Sequence, residues 1–435
     1  MKRSIGFIVT VAAVIAILSV TGCSKKTENT AAAATTAAAP SGAPISLRGT
    51  WIGDGQDKEL IDKCLVKYQD QTGYKVEFVF IPGSWAEYFT KIQTMIAGGE
   101  QFDVCNVAIE GFQILVQTGM AAPIDDWITA NRAEWDAVVN DISPNVLDVM
   151  KFGGKQYGAP NEWNNVCAHI NLNLLQEAGL PLPPPNWNKD QFLDYAQKLT
   201  KKRPDGTMQY GCFVPNYYFG FESWLFNNDA AYMTDDFKKS RLLEPNSVEM
   251  FQFLYDLVYK YQVAPIPEPG IDSNQLFMDG NVAMQFAGRW PTNGYVANNF
   301  KAVAVQYNPN FKKNTSIWGG TGVFTLKSSK HFNEAASFAL YLASAPFIED
   351  YMQWGAIPVL NSVATKLVPS LGVPQNAQLF IDSANIAKAV HSPPQYAECS
   401  QLIEQAMSNI LINKQDVMDT LKAADVQLNA ILADN

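Results

Sequence analysis

From Ile45 onward the chain alternates strand-like runs with helix-length segments closed by glycine, a rhythm that restricts it to an α/β fold with helices packed over sheets. Ile45–Ile52 reads as a first strand, turned by Gly53-Asp54-Gly55. Asp57–Thr72 then carries Leu60, Ile61, Cys64, Leu65 and Tyr68 at helical spacing, with Gly73 as its stop. Val76–Ile81 is the next strand, Trp85–Ala97 a helix ended by Gly98-Gly99, Phe102–Ala108 a strand, and Phe112–Thr118 a helix ended by Gly119. Short connections of this kind belong to a doubly wound sheet.

Further on, turn residues gather at Gly153–Pro160 and an extended run follows to Ile170. Helices are predicted at about Asp190–Thr200, Ser247–Tyr261 and Asn333–Ser344, and strands at Phe300–Val305 and Gly322–Leu326. One last helix is expected from Gln401 to near Leu432, docked through Ile403, Met407, Ile410 and Leu411. Nothing repeats at a fixed period, which argues against solenoids and propellers.

The N-terminus addresses the compartment. Lys2 and Arg3 precede an apolar run, Ile5–Val20, shorter than the ~18–20 residues of a permanent span, so residues 1–22 read as a removable secretion signal. Val20-Thr21-Gly22-Cys23 looks like a bacterial lipobox, which implies lipidation of Cys23 and anchoring to the extracytoplasmic face of the cell membrane. Ser24–Pro44 is almost all Ala, Thr, Ser, Gly and Pro, the composition of a disordered tether; with Cys23 it forms segment 23–44.

About 390 residues remain, enough for two or three core-forming units. The formal charge of −10, with no basic stripe, argues against nucleic acid or anionic lipid as a partner. Cys64, Cys105, Cys167, Cys212 and Cys399 form no CxxC pair, so neither a zinc site nor a disulfide framework is implied. There are three histidines (His169, His331 and His391), no HExxH, no GxSxG, no Walker loop and no GxGxxG. No catalytic residue, metal or cofactor is expected, although a glycosidase would need only two carboxylates.

Several ordered stretches carry a resemblance. They are Thr50-Trp51-Ile52-Gly53-Asp54, Lys67–Val76, Ala97–Val104 and Gln117–Asp125, then Gly154–Pro160, Gly280–Met284 running into Gly288-Arg289-Trp290, and Trp354–Val359. Together they resemble the family 1 extracellular solute-binding proteins of sugar-importing ABC systems, the family that includes maltose-binding protein. The resemblance implies two lobes joined by three chain crossings, near Gly158–Pro160, Gly319–Thr321 and Gly355–Pro358, with a hinged cleft between them. Lobe 1 would combine residues 45–157 with 322–354, and lobe 2 residues 161–318 with 358–435. It also implies a carbohydrate ligand, a membrane permease with its cytosolic ATPase as partner, a monomeric state and no enzymatic activity.

A sugar offers hydroxyls at its rim and apolar C–H patches on its ring faces, so its site needs flat aromatic platforms and planar polar side chains. Trp290 looks like the platform of the family's Gly-x-Trp segment. Trp224 and Tyr218 are further candidates, with core packing the alternative. Glu110 stands where the resemblance places an acidic ligand residue, next to Gly111 where maltose-binding protein carries an arginine. Asp54 is a similar candidate; both carboxylates also suit a solvated loop. Asn161, Glu162, Trp163 and Asn164 follow the first crossing, where the family has ligand contacts. Gly319 and Gly320 permit close backbone approach, and equally serve the second crossing. Trp85 and Trp318 fit packing as well as a platform, and Arg289 suits a site carboxylate or an acidic sugar. Competing ligands are a polyol phosphate, a peptide or a polyamine; the abundant Trp and Tyr with no basic cluster favour a neutral sugar over a phosphate ester.

Overall fold

Three parallel strands form one half of the main sheet, with Ser46–Ile52 between Lys75–Ile81 and Val104–Ala108. The computed structural model describes residues 44–53, 55–352 and 355–433; the expected signal, Cys23, the tether to Ala43, Asp54 and Trp354 lie outside the described residues. Parallel neighbours need a crossover between them. Helix Gly55–Thr72 supplies the first, burying Ile61, Cys64, Leu65 and Tyr68. Helix Trp85–Ala97 supplies the second. Its start is fixed by a capping box: the Ser84 hydroxyl accepts from the Glu87 N–H, and the Glu87 carboxylate accepts from the Ser84 N–H.

The third helix departs from expectation. It spans Ile109–Gln117 and follows strand Val104–Ala108 with no intervening loop. Ile109, Phe112 and Leu115 supply its buried face, so Glu110 sits in its first helical turn rather than in a loop.

The other half of the sheet is built from two long antiparallel strands, Gly158–Asn165 and Ser316–Thr325, with Ile357–Pro358 on the outer side of the first. The expected strand at Gly322–Leu326 begins six residues earlier, at Ser316. A register shift falls between Thr321 and Gly322. Strand Gly158–Asn165 runs on through Val166 into Cys167–Asn171, which is the centre of a second sheet between Met284–Ala287 and Val303–Gln306. The Ser316 end of the other long strand pairs with Ala387–Ala389. Both long strands therefore connect the first sheet to the region of the second.

The expected final helix is two helices, Tyr396–Leu411 and Val417–Ala433. Lys414 adopts a positive φ of 53° between them, and Asp416 accepts from the Asp419 N–H to start the second. Ile403, Met407, Ile410 and Leu411 are buried. The five cysteines of the described residues are free and buried. Among those residues no helix is long and apolar enough to cross a membrane.

Candidate ligand-binding cleft

The crossing strands and five neighbouring segments surround a cleft of ≈ 420 Å³. Its floor is Gly319, Gly320 and Thr321 of one long strand beside Glu162 and Asn164 of the other. Ala108 and Glu110 close it at the C-terminal end of a parallel strand, where doubly wound sheets place ligands. Trp85, Tyr217, Phe219, Trp290 and Tyr396 bring aromatic surface to its walls.

Glycine makes the close approach of these rings feasible. A Cβ on Gly319 would lie 2.8 Å from the Phe219 ring and 3.5 Å from Glu110 Oε1. A Cβ on Gly288 would meet the ring of Trp290 and lie 2.7 Å from the Asn165 carbonyl. Trp290 is thus folded back over its own segment, with Tyr217 edge-on at 6.4 Å and its indole 36% exposed. It is the most open aromatic surface of the cleft.

Three carboxylates line the same space: Glu110, Glu162 and Glu404. Burial pushes the Glu110 and Glu162 carboxyls up to about 7, and raises that of Glu404 as well. Glu404 Oε1 accepts from the Tyr218 N–H at 3.0 Å. Glu110 is 6% exposed and its Oε2 has no hydrogen-bond partner. A buried polar atom left unpaired is costly unless something completes it.

The sequence-derived candidates divide sharply. Glu110, Glu162, Asn164, Tyr218, Trp290, Gly319 and Gly320 line the cleft, as does the weaker candidate Trp85. Asn161 and Trp163 do not. Side chains alternate across a strand, so in Gly158–Asn165 the half-buried Glu162 and Asn164 face the cleft while the buried Trp163 between them points the other way; Asn161 stands unpaired at the register shift and is buried. Asn161 Oδ1 accepts from the Thr321 hydroxyl at 2.8 Å. Trp224 is also off the cleft. It is wholly buried against Phe192, Phe286 and Phe311, three apolar rings that leave it no ligand face. Tyr218 borders the cleft but is 1% exposed, and its hydroxyl donates to the His391 carbonyl at 3.1 Å. Arg289, considered for a ligand, is fully buried and donates to the carbonyls of Met352 and Ala356. Trp318 is 9% exposed and lies outside the lining.

Sequence reasoning missed Tyr217, Phe219 and the face of helix Tyr396–Leu411 made by Tyr396, Ser400, Gln401 and Glu404. The second set carries a signal: Tyr396, Ser400 and Glu404 recur every four residues, a polar stripe beside the buried apolar one. Among the described residues no cluster of His, Cys, Asp and Glu is arranged to hold a metal ion.

Solved structures share this architecture. The ABC substrate-binding protein Lmo0181 of Listeria monocytogenes, solved in complex with cycloalternan, superposes with a TM-score of 0.79 at 21% identity, covering 89% of this chain and 99% of its own. An ABC transporter solute-binding protein of Thermotoga lettingae, bound with alpha-D-tagatose, gives a TM-score of 0.77 at 22% identity over 89% of this chain and 100% of its own. Maltose-bound MalE3 of T. maritima gives 0.75 at 19% identity over 89% of this chain and 100% of its own. At such identities the likeness establishes the fold, a two-lobed binding-protein architecture. These relatives are binding proteins. With the model of bacterial extracellular solute-binding proteins matching residues 63–381, the chain belongs to that family.

Proposed function

We propose that this chain is the substrate-binding component of an ABC importer, capturing a carbohydrate between two lobes and delivering it to a membrane permease driven by a cytosolic ATPase. The observation that carries this reading is the joint presence of exposed aromatic faces, Trp290 above all, and hydrogen-bonding side chains around one ≈ 420 Å³ space. Stacking one sugar face on an indole removes roughly 50 Å² of apolar surface, worth roughly 1 kcal/mol. Charge-assisted hydrogen bonds add roughly 1.5–3 kcal/mol each, so a few contacts reach the ~8 kcal/mol of micromolar affinity. The sugars held by the Listeria and Thermotoga proteins support the same ligand class.

Ligand-binding roles fall on Glu110, Glu162, Asn164, Tyr218, Trp290, Gly319 and Gly320, joined by Tyr217, Phe219 and Gln401. The hinge consists of Gly158–Pro160, Gly319–Thr321 and Gly355–Pro358. Lobe 1 combines 45–157 with 322–354, and lobe 2 combines 161–318 with 358–435. Two neighbouring extended strands support this division, since a hinge concentrates φ/ψ change in a few residues. Ligand touching both lobes favours the closed form, and a shift from 1:99 to 99:1 needs roughly a 10⁴-fold preference for it. Cys23 carries the lipid anchor after removal of residues 1–22, and 23–44 is the tether that leaves the monomeric body free above the membrane. The protein binds without chemical conversion.

A thermal-shift screen of the purified full chain against mono- and oligosaccharides tests this. A sugar at 100 times its dissociation constant should stabilise by about 2.7 kcal/mol. Stabilisation by a polyol phosphate or a peptide with no response to any sugar would replace the reading, and cleavage products from an oligosaccharide would make the protein an enzyme.

A further inference from the structure

The charge of the cleft is one-sided. Glu110, Glu162 and Glu404 line it, and among the described lining residues there is no lysine or arginine. Among the described residues the groups that act on these three carboxyls are Glu222, Thr321, Asp57, the Tyr218 N–H and Ser400, with no cation in the set. Two positions from which a basic side chain could enter are closed. Gly111, beside Glu110, has no room for a side chain because the Phe89 ring fills the space, itself stacked on Trp85 at 5.8 Å. Arg289, beside Trp290, directs its guanidinium to the Met352 and Ala356 carbonyls.

A buried carboxylate without a counter-charge is among the least favourable groups a protein can hold. Glu110 is such a group, 6% exposed with Oε2 unpartnered, and it lines the cleft. A neutral hydroxyl satisfies a lone pair and leaves the charge. An ammonium group does both. The aromatic walls add to this, since ring faces attract cations that have shed water.

We propose that the solute is an amine-bearing sugar, its protonated amino group seated on the carboxylate of Glu110 while its ring rests on Trp290. This rests on the carbohydrate reading of the cleft and names the class of sugar. A linear polyamine would share the ammonium but has no use for the neutral donors and acceptors of Asn164, Thr321 and Gln401 on the same walls. The upward displacement of the Glu110 carboxyl to about 7 agrees, because an arriving ammonium replaces the proton it otherwise retains. The overall charge of −10 draws cations toward the molecule.

The test is calorimetry on the full chain with matched pairs: glucosamine and glucose, galactosamine and galactose, and the β-1,4 glucosamine disaccharide with cellobiose, plus spermidine. In at least one pair the amine member should bind tenfold or more tighter, with protons released in proportion across buffers of different ionisation enthalpy. Glu110→Gln should abolish that advantage and Glu110→Asp should keep part of it, while Glu162→Gln, at a half-buried position of the same cleft, should leave it in place, each in a protein whose circular dichroism is unchanged. Equal or tighter binding of the neutral members overturns the amine assignment and leaves the carbohydrate reading standing. Spermidine binding with every sugar silent, or no binding by any member, overturns both.

Discussion

The side-chain oxygen of Asn164 accepts a hydrogen bond from the main-chain N–H of Arg289 at 3.0 Å. One residue of a crossing strand thereby holds the segment whose next residue is Trp290. Behind it, burial pushes His169 down to about 4, so its ring is neutral. His169 Nε2–H then donates to the Gly288 carbonyl at 2.8 Å and Nδ1 accepts from the Tyr295 hydroxyl at 2.9 Å. The platform is therefore supported from below by polar contacts on both sides of Gly288-Arg289.

Removing that support should show in binding more than in folding. Asn164→Ala loses a bond worth about 1 kcal/mol and frees the Trp290 segment. Sugar affinity should fall severalfold by calorimetry, with a drop of only a few degrees in Tm. Unchanged affinity would separate Asn164 from the site.

Two tryptophans provide an internal contrast. Trp290→Ala should weaken sugar binding about tenfold or more while leaving Tm nearly unchanged, because the indole is 36% exposed. Trp224→Ala empties a wholly buried position and should cost about 3–5 kcal/mol of stability. Chemical denaturation and calorimetry on both variants check this. Equal stability losses would contradict the placement of one of them.

Gly319→Val places branched carbon where the Phe219 ring stands 2.8 Å from even a Cβ. Phe219 must then move into the space the ligand uses. Binding should drop by more than tenfold, and a ligand-free crystal structure of the variant should show the ring displaced. Retained affinity would mean that the ligand sits away from this strand.

The acid–base behaviour of Glu110 has a definite sign. Burial raises its carboxyl from 4.5 to about 7, so the folded chain holds this proton more tightly than the unfolded chain. Its contribution is most favourable below the ordinary value, declines as pH climbs from there to about 7, and is flat above. The Tm of Glu110→Gln should therefore gain on that of the unsubstituted protein across this interval, by up to a few kcal/mol in stability. A gap that stays constant with pH would contradict the burial of this carboxyl.

Much of this was legible before the coordinates. The strand–helix rhythm to Gln117 is written in apolar spacing and glycine stops. Alternation along the extended run after Pro160 sorts Glu162 and Asn164 from Trp163, whereas Asn161 falls at a register shift that apolar spacing does not mark. Trp224 misled because a dense aromatic run does not say where a helix begins. Helix Tyr218–Asn227 points its N-terminal end at the cleft. Trp224 lies six residues further along, roughly 9 Å deeper at 1.5 Å per residue. Helix Tyr396–Leu411 joins the site from a distant part of the chain, brought there by packing against Trp85–Ala97, Ile109–Gln117 and Tyr218–Asn227.

The most direct measurement is a crystal structure of the full chain grown with the sugar that raises its Tm most. The expected density is one sugar ring lying on the face of Trp290, with polar contacts to Glu110, Glu162 and Asn164. Sugar bound elsewhere on the surface, with this cleft holding only water, would contradict the assignment.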